Sequence, residues 1–175
     1  MKSMSVFRVL AAAGLTATLA ACGGEAEAPV EEVAGDCPPG ITVTEGWLAL
    51  PAVGGNPGAA YFSLTNGTDE QVTIRTASVL GAESAMIHET ATWSNETDMQ
   101  ELFTLPVMGG ETLVFEPGGK HVMAMGMGGG VEPGGETEVT LTFVGGDKCS
   151  FPVTAHPAGE DPREAISEDA AMKVE

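Results

Sequence analysis

Glu138-Val139-Thr140-Leu141-Thr142-Phe143-Val144 puts Val139, Leu141 and Phe143 on one side of an extended chain and Thr140 and Thr142 on the other. Period-2 alternation of this kind is the pattern of a strand with one face buried. Gly145-Gly146-Asp147 closes the run, and Ser150–Ala155 resumes the alternation. Working toward the N-terminus, Pro133-Gly134-Gly135, Pro117-Gly118-Gly119, Gly109-Gly110 and Asn66-Gly67 supply turn signals between further short runs. These runs are Ile41–Thr44, Ala59–Thr65, Gln71–Val79, Ala85–Glu89, Met99–Thr104, Thr112–Phe115 and His121–Met125. No helical stripe and no internal repeat interrupts them. Short strands at this spacing predict one all-β domain, an antiparallel sandwich or barrel, over residues 37–156.

The ends differ from this body. Lys2 and Arg8 precede the apolar run Val9–Ala20, which reads as a secretory signal over residues 1–21 and is too short to span a bilayer. The run closes with Leu19-Ala20-Ala21-Cys22, which resembles the lipobox of bacterial lipoproteins. That resemblance implies cleavage before Cys22, lipidation of its sulfur and a membrane anchor in the bacterial periplasm. The alternative is an ordinary signal cut near Ala21. Gly23, where an Asp would favour retention in the inner membrane, leans toward the outer membrane by the same resemblance. Residues 22–36 read as a flexible acidic linker and 157–175 as an acidic tail with at most a short helix over Arg163–Met172.

The 175 residues carry 25 Asp and Glu against 7 Lys and Arg, a formal charge of −18. With no basic footprint, nucleic acid is excluded as a partner. Cys37 and Cys149 flank the body, and in an oxidising compartment they read as a disulfide stapling the first and last strands. A loop of that length contributes about 4–5 kcal/mol in the chain-entropy model. A thiol metal site or redox pair is the alternative.

Signals for catalysis are missing: no phosphate-binding loop, no nucleophile elbow, and no serine or cysteine paired with one of the three histidines. The chain reads as a non-enzyme. What stands out is a set of soft donors among nine methionines. Positions i and i+2 of a strand share a face, so His121 and Met123 project together. His88 and Met99 flank the polar segment Thr90–Asp98, read as a loop able to bring them close. A lone strand methionine is more often packing than a ligand; the case rests on the four residues jointly. Two imidazoles and two thioethers form a neutral, soft donor set suited to Cu(I). Met86 stands two residues before His88 and is a candidate accessory ligand, while Met125 and Met127 extend the same face and favour packing. Lys120 reads as solvated, and His156 as a weak metal scavenger at most.

The spacing H-x10-M-x21-H-x-M over His88, Met99, His121 and Met123 resembles the motif of the periplasmic PCu(A)C copper chaperones. Met86-Ile87-His88-Glu89-Thr90 and Phe115-Glu116-Pro117-Gly118-Gly119-Lys120-His121-Val122-Met123 agree with it, as does Gly134-Gly135 before Val139–Phe143. The resemblance implies a cupredoxin-like Greek-key β-sandwich that binds Cu(I). It also implies delivery toward the CuA centre of cytochrome c oxidase, with subunit II or an assembly factor as acceptor. Two alternatives are a metal-free envelope scaffold and a blue-copper electron-transfer protein. The second would need a thiolate, and Cys149 with His156 is its only candidate pairing.

Overall fold

The computed structural model describes residues 35–93, 96–128 and 130–163. The signal segment 1–21, Cys22 with most of the linker, and the tail beyond Arg163 lie outside the described residues.

Among the described residues ten strands form one continuous ladder: β1 (Ile41–Ala49), β2 (Gly58–Asn66), β3 (Val72–Val79), β4 (Ser84–Trp93), β5 (Glu96–Glu101), β6 (Leu105–Val107), β7 (Thr112–Phe115), β8 (Lys120–Met125), β9 (Glu136–Phe143) and β10 (Lys148–His156). Their hydrogen-bonded order is β5-β4-β8-β7-β2-β1-β10-β9-β3-β6. β7 and β8 share one flank of β2, which pairs with Thr112–Phe115 through Phe62–Thr65 and with Val122–Ala124 through Gly58–Ala60. Most pairs are antiparallel, as expected, but β1 and β10 run parallel through Trp47↔Thr154 to Ala49↔His156, and β7 meets β8 in parallel at Phe115↔Lys120.

A short connection folds this ladder into a sandwich. β3 and β4 are consecutive in the chain, joined by residues 80–83, yet they stand near opposite ends of the order. Laid flat, they would be about 29 Å apart at the usual strand spacing, whereas the connection reaches at most about 18 Å. The ribbon must therefore roll until β3 packs against β4, as it does. The two leaves close over Phe62, Phe115 and Phe151. Phe62 stacks on Phe115 with centroids 4.2 Å apart and meets the edge of Phe151 at 4.9 Å. Val139, Leu141 and Phe143 are buried on the inner face as their alternation demands. On the outer face the hydroxyls of Thr140 and Ser150 lie 2.7 Å apart.

Three departures from the sequence reading have local causes. β1 runs on to Ala49 because a bulge between Thr44 and Trp47, with Glu45 at φ 57°, shifts the alternation instead of ending the strand. β6 was not expected: it has three residues with Pro106 at its middle, tolerated because it is an edge strand. The segment Thr90–Asp98 is not a loop, since β4 continues to Trp93 and β5 begins at Glu96, forming a hairpin paired through Thr90↔Met99 and Ala91↔Asp98.

Cys37 and Cys149 are joined in a disulfide, tying the segment before β1 to β10. Asn66 completes the scaffold from within. Its buried amide donates to the carbonyls of Glu70, Val107 and Met108, and its Oδ1 accepts from the backbone N–H of Thr68.

Candidate metal centre

β4, β8 and β5 present one outer face. Ile87, Val122 and Ala124 point into the core, so His88, His121 and Met123 point the other way. His88 stands directly opposite His121, and Met86 directly opposite Met123. On the far side of β4, Glu101 is opposite His88 and Met99 is opposite Thr90. Opposite residues have Cβ atoms about 4.5–5.5 Å apart and diagonal ones about 7–8 Å apart. The histidines are thus neighbours, with Met123 and Met99 on opposite diagonals of His88. The hairpin brings Met99 onto the face of His88 but leaves β4 between it and β8. Met99 is also 47% exposed, on the edge strand of the sheet.

The imidazoles are held differently. Their ring centroids are 5.9 Å apart, nearly perpendicular. His121 is buried, and its Nδ1 is 3.1 Å from the Gly119 carbonyl. With Nδ1–H donating there, Nε2 carries the lone pair and faces away from the backbone. Burial pushes the His121 pKa down; the Gly119 bond opposes that shift, and the nearby His88 adds to it. The Nδ1 of His88 is buried with no hydrogen-bond partner in the protein. A buried polar atom left unpaired is costly, and a bound cation would satisfy it.

Tyr61 continues the row, its ring 6.3 Å from His121 and 4.6 Å from Trp47. Beside it, Arg163 makes a two-bond contact with the Asp161 carboxylate at 3.0 and 2.7 Å. Burial raises the Tyr61 pKa, and the Asp161 charge raises it further. Spacing along the chain does not reveal Tyr61 and Glu101; their signal lies in strand register, which one sequence does not display. Lys120 is not merely solvated: its ammonium pairs with Glu89 at 2.6 Å, directly across the β4–β8 ladder.

Among the described residues no group of three or more His, Cys, Asp or Glu could hold a metal. The donors that flank the two imidazoles on this face include the thioethers of Met86, Met99 and Met123. Two neutral imidazoles with methionine sulfurs suit a soft monovalent ion and disfavour calcium or magnesium. The blue-copper alternative fails on two counts. Cys149 is oxidised to a disulfide, and it points into the core while His156, seven residues along β10, has the opposite strand parity.

The fold is that of the PCuAC domains. Aligned solved structures include the copper-bound PCuAC domain from PmoF2, with a TM-score of 0.58 at 17% identity over 73% of this chain and 98% of that one. Apo-DR1885 from Deinococcus radiodurans aligns at 0.53 and 26% identity, covering 83% of this chain and 99% of that one. The chain belongs to the LpqE-like family, described as "putative lipoprotein LpqE-like", whose model matches residues 41–155. A putative lipoprotein of Leifsonia xyli subsp. xyli, Lxx21020, is 34% identical over 110 residues, which are 61% of this chain and 64% of that protein. The match therefore spans less than two thirds of that relative. The descriptions of these relatives are of PCuAC domains and putative lipoproteins.

Proposed function

We propose that this protein is a Cu(I) chaperone of the bacterial cell envelope, with the ion held by His88, His121, Met123 and Met99. The observation that carries this reading is the opposed histidine pair, one ring with its Nδ1 tied to Gly119 and the other with a buried, partnerless Nδ1, flanked on the same face by thioethers. The structural likeness to a copper-bound PCuAC domain supports it. Neutral ligands fit Cu(I), and thioethers avoid the oxidation that thiolates suffer outside the cytoplasm. The donor set performs no redox step, so the ion leaves by ligand exchange. Met99, exposed at the sheet edge, is the sulfur an acceptor ligand reaches first.

The same reading has the mature protein, residues 22–175, anchored by a lipidated Cys22 in the periplasm, with the outer membrane favoured. The acidic stretch 22–36 would tether the domain of residues 37–156, and the acceptor would be the CuA centre of cytochrome c oxidase subunit II or an assembly factor. Competition with a chromogenic Cu(I) chelator tests the core of this proposal. One Cu(I) per chain is expected, with His88→Ala and His121→Ala weakening binding more than either methionine variant. Equal affinities in the wild type and all four single variants would refute the assignment.

A further inference from the structure

The register of the β4–β8 ladder gives a fifth donor a place at the site. Met86 is directly opposite Met123, two residues from His88 and on the same face. By position in the ladder, Met86 stands to His121 as Met123 stands to His88: each is one diagonal away. Met86 is half-buried, whereas Met99 is exposed and separated from β8 by an entire strand. The face therefore holds two groupings that share the histidines. One leans toward the edge through Met99, and the other leans inward through the facing pair Met86 and Met123.

We propose that Met86 is a Cu(I) ligand and that the ion has two resting positions on this face, an outer one using Met99 and an inner one using Met86 with Met123. This inference rests on the Cu(I) reading above. Movement inward breaks the copper–thioether bond to Met99 and forms those to Met86 and Met123, which lie together on the other side of the histidine pair. All three ligands are neutral and copper stays monovalent, so neither an electron nor a proton is exchanged. The inner position retains the ion between encounters, and the outer one presents it to an acceptor. Such a relay explains how a carrier with an exposed ligand on an edge strand keeps its cargo.

The test uses the full mature chain with methyl-13C-methionine, loaded with Cu(I) under reducing conditions. The Met86 methyl resonance should shift on loading together with those of Met99 and Met123. Met86→Leu, which conserves volume, should lower Cu(I) affinity about tenfold in the wild-type background. In the Met99→Leu background the loss should be larger, because the alternative sulfur is already gone. X-ray absorption should show Met99→Leu retaining two sulfur scatterers and the double variant Met86→Leu/Met99→Leu retaining one. An unmoved Met86 methyl signal, with Met86→Leu neutral in both backgrounds, overturns the inference while leaving the chaperone reading intact if His121→Ala still weakens binding. Failure of the wild type to bind Cu(I) overturns both. A Met86→Leu effect on affinity without the methyl shift or the change in sulfur count would mark a packing role and also overturn it.

Discussion

The β4–β8 ladder and the β5 edge contribute to the same face on different physical terms. In the ladder, His88, His121, Met86 and Met123 sit on paired interior strands, over a core of Ile87, Val122 and Ala124, with His121 bonded to Gly119. On β5, Met99 is carried by a hairpin arm that is paired on one side only and exposes almost half of its surface. Interior strands fix ligand positions before the ion arrives, which lowers the ordering cost of binding. An edge strand leaves a ligand free to depart. The carrier proposed above would need both properties, and on this face they lie on adjacent strands.

The largest effect expected separates the site from the scaffold. Replacing both Cys37 and Cys149 with Ala should cost about 4 kcal/mol of stability, read as a lower denaturant midpoint. Cu(I) affinity of the folded fraction should be unchanged, because the staple lies on β10 and the donors on β4, β8 and β5. A parallel loss of affinity would mean that the two regions are mechanically one.

Next in size is His121→Ala, for which affinity should fall about 100-fold or more, since even the outer partners of metal ligands are worth about 10–100-fold. Chelator competition measures it. The contrast within the face is smaller: Met123→Leu should lower affinity by about tenfold, while Met99→Leu should lower it less and slow transfer to a competing chelator. Stopped-flow transfer rates check this, and identical behaviour of the two variants would erase the distinction between ladder and edge.

The smallest effect is that of pH. His121 has its pKa lowered in the folded protein, so between that value and the ordinary histidine value near 6.5 the unfolded chain binds more protons. Stability is therefore fully present above the unfolded value and is lost as pH falls through the folded one. Copper binding follows the same direction, because ligation needs neutral imidazole. Affinity should weaken on acidification through the histidine range near pH ~6.5; a flat profile down to about pH 5 would contradict this.

How much of this was legible beforehand depends on the type of signal. Val139, Leu141 and Phe143 announced their strand because burial of one face imposes period 2, and their burial follows that pattern. The four candidate donors are legible through spacing, and that His121 and Met123 share a face follows from strand parity alone. What spacing did not reveal was register. Nothing local says that Met86 rather than Ser84 faces Met123, that Glu101 faces His88, or that Tyr61 lies beside His121, because those neighbours come from strands chosen by the whole fold. The Thr90–Asp98 segment reads as a loop for a related reason. Polar threonines and carboxylates resemble a loop, yet a hairpin that projects at a sheet edge has no core to bury and so carries no apolar alternation.

X-ray absorption at the copper edge of the Cu(I)-loaded mature chain reads the proposed ligand set itself. Nitrogen and sulfur scatterers are expected in the first coordination shell, with nitrogen diminished in His121→Ala and sulfur diminished in Met123→Leu. A shell of nitrogen and oxygen alone, or one unaltered by both substitutions, would contradict that ligand set.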